Sequence, residues 1–77
     1  MNRLSEFIIE KLEEATGIDE ITEDSALFDE EILDSLSILY LVTEIETEYR
    51  VQIPLEEVTE SHFSTVNRIV EYLNEKM

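Results

Sequence analysis

The sequence predicts an all-α protein, a small bundle of three main helices and one short helix. Three observations lead there. Apolar residues recur at helical spacing in three separate segments. The single glycine and single proline leave those segments uninterrupted. The one brief alternation, Val51-Gln52-Ile53, has no second strand-like run to pair with.

In the first segment Leu4, Phe7, Ile8, Leu12 and Ala15 form the stripe of an amphipathic helix, and Gly17 follows where a left-handed residue costs least. Helix one is expected over about residues 2–15. Residues 16–34 show no sustained period, and Thr22, Asp24 and Ser25 offer turn chemistry that competes with helix. A loop of that length needs pins, which Ile18, Ile21, Leu27, Phe28, Ile32 and Leu33 can supply, with a short helical turn near Ser25 to Asp29.

Helix two is expected from Ser35 to about Tyr49, with Ile38, Leu41, Val42, Ile45 and Tyr49 inward. Read alone, Ile38 to Val42 could pass for a strand; the length of the periodic segment decides for helix. Leu36, Tyr40, Thr43, Glu46 and Thr47 share a second face that mixes apolar and acidic groups, the expected partner-docking surface. Val51 to Pro54 reads as a connector, because proline holds the preceding residue extended. Thr59 to Phe63 should form a short third helix or turn, with Phe63 in the core and His62 as a polar surface or cap residue. A last helix over about Ser64 to Asn74, capped by Ser64 or Thr65, carries Val66, Ile69, Val70 and Leu73.

Residues 1–77 are too few for two cores, so one domain is expected. No cysteine is present for a disulfide or zinc site, which leaves helix packing to hold the fold unaided. Twenty acidic against five basic residues give a formal net charge of −15. That charge argues against nucleic acid and anionic membranes, keeps a monomer soluble and steers it toward basic partners. The acidic run from Asp19 through Glu31 is also expected to attract divalent ions diffusely, without a dedicated metal site. No apolar run is long enough to span a membrane, and acidic residues come too early for a signal peptide, so the cytoplasm is the expected location.

The stretch Ile32-Leu33-Asp34-Ser35-Leu36 carries the chemistry. Asp34 and Ser35 both suit a helix start, where a short side-chain oxygen accepts an unpaired backbone N–H. Ser35 would set a primary hydroxyl at the positive end of the helix dipole, where a phosphate ester is well tolerated. The plain alternative is a serine that only caps.

Taken in order, Leu27-Phe28-Asp29, Leu33-Asp34-Ser35-Leu36, Ile45-Glu46-Thr47-Glu48-Tyr49, Ile53-Pro54 and Phe63 resemble the acyl carrier protein family of phosphopantetheine-binding carriers nearly end to end. The resemblance implies a four-helix acyl-carrier-like bundle and a 4′-phosphopantetheine arm, derived from coenzyme A, on Ser35. A thiol on the arm would hold acyl or aminoacyl groups as thioesters, with Asp34 and Leu36 beside the attachment point. It also implies that Asp34 helps place Ser35 for a phosphopantetheinyl transferase and its Mg²⁺. Further implied partners are an acyl- or aminoacyl-loading ligase and downstream acyl-transfer enzymes of fatty-acid, polyketide or nonribosomal-peptide-type biosynthesis. Two departures touch the subfamily. Many such carriers place a glycine shortly before the tripeptide, where this chain has Glu30-Glu31, and fatty-acid carriers place acidic residues where Ser37 and Tyr40 stand. Leu33 before the tripeptide and the Leu27-Phe28-Asp29 run resemble D-alanyl and peptidyl carriers more closely.

Other classes fare worse. With one histidine and no cysteine, the chain lacks a nucleophile–base–orienter set, so no catalytic residue is expected. Calcium loops starting at Asp19 or Asp24 misplace the oxygen ligands and lack the glycine at the sixth position. An acidic helical adaptor with no prosthetic group is the alternative, separated by intact mass after treatment with a phosphopantetheinyl transferase.

Overall fold

The computed structural model describes residues 3–77. Helix α1 spans Arg3–Thr16, α2 Ser35–Tyr49, α3 Glu60–Phe63 and α4 Val66–Lys76, with a 3₁₀ turn at Leu55–Glu57 before α3. The described residues contain no strand. The expected helix start at residue 2 lies outside them. α1 packs against both α2 and α4, and α3 packs on α4.

The predicted stripes supply the core. Ile8 and Leu12 of α1, Leu41 and Ile45 of α2, Phe63 of α3 and Ile69 and Leu73 of α4 are wholly buried. Each such side chain gains roughly 1.5–3 kcal/mol by leaving water. α1 ends as expected: Gly17 takes φ 72°, its N–H donating to Glu13 O at 2.8 Å, while Thr16 Oγ1 donates to Leu12 O.

The long loop is pinned, though not throughout as expected. Ile21, Leu27, Ile32 and Leu33 are buried and Phe28 packs against the core, whereas Ile18 stays exposed. Leu27 is the central pin. Its N–H donates to Ser64 O at 2.8 Å, and its carbonyl accepts from Ile32 and Leu33. The expected helical turn near Ser25 to Asp29 forms one residue later as a single turn, Glu30 N–H donating to Ala26 O at 2.9 Å, and goes no further because Glu31 reverses the chain at φ 55°.

Three other expectations are corrected. α4 begins two residues later than expected and runs two further: Thr65, not Ser64, caps it, its Oγ1 accepting from Arg68 N at 3.1 Å. Tyr72, outside the predicted stripe, is buried. His62 is half-buried rather than at the surface: its Nδ1 lies 3.0 Å from Glu57 O at the end of the 3₁₀ turn, and its ring lies 4.8 Å from that of Tyr72.

Candidate functional site

The site lies where the pinned loop meets α2. Asp34, in extended backbone, is the N-cap: its Oδ1 accepts the Ser37 N–H at 2.8 Å, and its carbonyl accepts from Ile38 N. The Ser37 N–H, with further bonding from the Ser37 side chain, holds the Asp34 carboxyl below the ordinary carboxylate value, so the cap is ionised at neutral pH. Ser35 is the first residue of α2 and is exposed. It therefore has no capping duty. Ser37, two residues on, is buried at 6% exposure. The two serines of the first turn thus differ sharply in access.

Beside Ser35 a groove of about 570 Å³ runs between the end of α1 and the start of α2, lined by Glu14, Ala15, Asp34, Leu36, Ser37 and Tyr40. The Tyr40 hydroxyl crosses it to Glu14 Oε1 at 2.8 Å. That bond lowers the Glu14 carboxyl and raises the Tyr40 phenol relative to their ordinary values.

Of the expected docking face, Leu36 is the most exposed large apolar residue, Tyr40 is partly exposed, and Thr43 and Thr47 face solvent. Glu46 stands apart. Its Oε2 accepts the Ile53 N–H at 2.8 Å, so it ties the connector to α2. Leu39, half-exposed, joins the face and was missed from sequence. The signal was available: Leu39 stands three residues after Leu36 and four before Thr43, the spacing of a single helix face.

The residues present fit a phosphodiester-linked arm: a primary hydroxyl, accessible and at a helix N-terminus, with its cap supplied by a neighbour. The family described as "Phosphopantetheine attachment site" matches residues 6–73, and the chain belongs to this phosphopantetheine-binding carrier family. Among its relatives, the D-alanyl carrier protein of Lactococcus lactis subsp. lactis (strain IL1403) is 33% identical over 75 residues, which cover 95% of each chain. That of Enterococcus faecalis (strain ATCC 700802 / V583) is 33% identical over 70 residues, 88% of this chain and 90% of the relative. The acyl carrier protein of Clostridium perfringens (strain SM101 / Type A) is 38% identical over 74 residues, 96% of this chain and 92% of the relative. A chain in a crystal structure of an FAD-dependent dehydrogenase superposes with a TM-score of 0.75 at 33% identity, covering 91% of this chain and 97% of that one.

The protein is thus a carrier that tethers acyl or aminoacyl groups as thioesters on a 4′-phosphopantetheine prosthetic group. The adaptor reading, with no prosthetic group, is set aside. No helix among the described residues is long and apolar enough to cross a membrane.

Proposed function

We propose that Ser35 is the attachment residue, and that residues 1–77 act as one monomeric, cytoplasmic carrier domain whose own side chains catalyse nothing. One observation carries the assignment: Ser35 Oγ is accessible at the head of α2 while Asp34 does the capping and Ser37 is buried. When bound, the arm supplies a thiol that holds cargo as a thioester. The chain's own part is to present Ser35, to hold Asp34 ionised beside it where a transferase brings Mg²⁺, and to offer Leu36, Leu39, Tyr40, Thr43 and Thr47 to enzymes that load or unload the arm. Aromatic anchors such as Tyr40 supply much of the energy in such contacts.

The cargo is aminoacyl. Support comes from the two D-alanyl carrier relatives and from Ser37 and Tyr40, uncharged where fatty-acid carriers resemble one another in bearing acid. A loading ligase that activates a small amino acid is the partner this implies.

Incubation with coenzyme A, Mg²⁺ and a broad-specificity transferase tests the site. One phosphopantetheinyl mass should appear on the wild type and on Ser37→Ala, and none on Ser35→Ala. A mass gain retained in Ser35→Ala would sink the assignment. The fold of Ser35→Ala should hold within about 0.5 kcal/mol, since an exposed hydroxyl with no cap to make contributes little.

A further inference from the structure

A second groove lies on a different part of α1 and shares no residue with the one beside Ser35. Glu6, Ile9, Glu10 and Glu13 of α1, with Ile21, Thr22 and Glu23 of the loop, enclose about 410 Å³. Its floor is apolar: Ile21 is buried and Ile9 packs against the core. Its rim is acidic. Among the described residues no ion pair uses any of its four carboxylates; Lys11 is engaged by Glu14 and Glu44, Arg68 by Glu71 and Lys76 by Glu57.

The loop wall is set before anything binds. Asn67 donates through its backbone N–H to Glu23 O at 3.2 Å and through Nδ2 to Asp24 at 2.8 Å, and Ser25 Oγ accepts the Thr22 N–H at 2.9 Å. These bonds fasten the loop to α4 and spare a binding event the cost of ordering it.

We infer that this groove is a second docking site, which receives a basic segment of a partner protein: one aliphatic or aromatic side chain on Ile9 and Ile21, flanked by lysine or arginine. Charge decides the occupant. Covering an apolar floor ringed by four carboxylates with a neutral group would strip water from those charges without replacing it. A second copy of the chain would bring −15 against −15, and an anionic membrane would be repelled in the same way. No three acidic or histidine side chains among the described residues gather as a metal site, so an ion does not account for the rim. Because the groove is separate from the Ser35 face, a partner held here leaves the arm free to move.

The probe is a short synthetic helical peptide with a leucine between lysines on one face, titrated into the full-length chain with Ser35 unmodified, so that the outcome does not depend on the arm. Amide shifts should concentrate at Ile9, Glu10 and Ile21 to Glu23. Joint replacement of Glu6, Glu10 and Glu13 by Gln should weaken binding about tenfold, while the same change at Glu48, Glu60 and Glu75 should cost less than about threefold. Serine in place of the peptide leucine should also weaken it. Equal losses from the two triple variants, shifts centred on Leu36 and Tyr40, or indifference to the leucine would each overturn the proposal.

Discussion

The Tyr40 hydroxyl donates to Glu14 Oε1 at 2.8 Å across the α1–α2 interface, joining residues 26 apart in sequence in the groove that Asp34 and Leu36 also line. Tyr40 therefore has two separable parts, a hydroxyl that ties two helices and a ring edge that faces solvent.

Substitution should separate them. Tyr40→Phe removes the tie and keeps the ring: the thermal midpoint should fall slightly while loading of the arm is unchanged. Tyr40→Ala removes both, so the midpoint should fall further and loading by the cognate ligase should weaken about tenfold, the scale of one good interface anchor. Unchanged loading in Tyr40→Ala would show that the ring is no part of the docking face.

A second tie has a definite pH window. The buried Tyr72 hydroxyl bonds Glu57 Oε1, and Lys76 Nζ lies 3.3 Å from the same oxygen. The Tyr72 bond, then Lys76, holds the Glu57 carboxyl below its ordinary 4.5. Burial, then the Glu57 bond, raises the Tyr72 phenol above its ordinary 10.0. A depressed carboxylate stabilises the fold above its unfolded value and loses that contribution as pH falls through the folded one; a raised phenol loses its contribution as pH climbs past 10.0. Tyr72→Phe should therefore lower the midpoint most between about pH 5 and 10, and the gap to wild type should narrow on acidification. A gap constant down to pH 3 would show that the bond contributes nothing.

Glu31 holds a left-handed φ of 55° three residues before Asp34, where glycine would sit without strain. A non-glycine residue costs about 1–2 kcal/mol there, partly offset by glycine's greater freedom in the unfolded chain. Glu31→Gly should stabilise by about 1 kcal/mol, while Glu31→Ala, which removes the same charge and keeps the strain, should stay within about 0.5 kcal/mol of wild type. Chemical denaturation decides it: equal gains would assign the effect to charge.

Salt should act by screening. Principal extents of 27 × 27 × 20 Å exceed a screening length of about 10 Å at 0.1 M only two- to threefold, so carboxylates repel across much of the molecule at low salt. Each 1 kcal/mol relieved raises the midpoint by roughly 4–8 °C. The acidic run from Asp19 to Glu31 should add a diffuse attraction for divalent ions, which needs no assembled site. Mg²⁺ should therefore raise the midpoint more than sodium chloride of equal ionic strength; equal midpoints would show that no ions associate locally.

What the sequence made legible was whatever repeats. The stripes of α1 and α2 and the burial of Phe63 follow from periodicity, and the place of Ser35 follows from cap chemistry next to an apolar run. What it hid depends on contacts between distant segments. Tyr72 falls outside the apolar stripe, and only the contacts of its ring with Phe63 and of its hydroxyl with Glu57 bring it inside. Ser64 and Thr65 are equal candidates for a cap until the Ser64 carbonyl is taken by Leu27 and Thr65 turns extended. Glu46 looks like a docking charge until the connector folds back and offers it the Ile53 N–H.

On α2, Leu41, Val42 and Ile45 are buried, whereas Leu36, Leu39 and Thr43 are exposed. One helix thus meets two demands that do not collide: residues that keep the bundle together tolerate little change, and solvent-facing residues can change one at a time at almost no thermodynamic penalty. A gene duplicate could therefore be rewired to a new assembly line by a handful of surface substitutions while inheriting its fold intact.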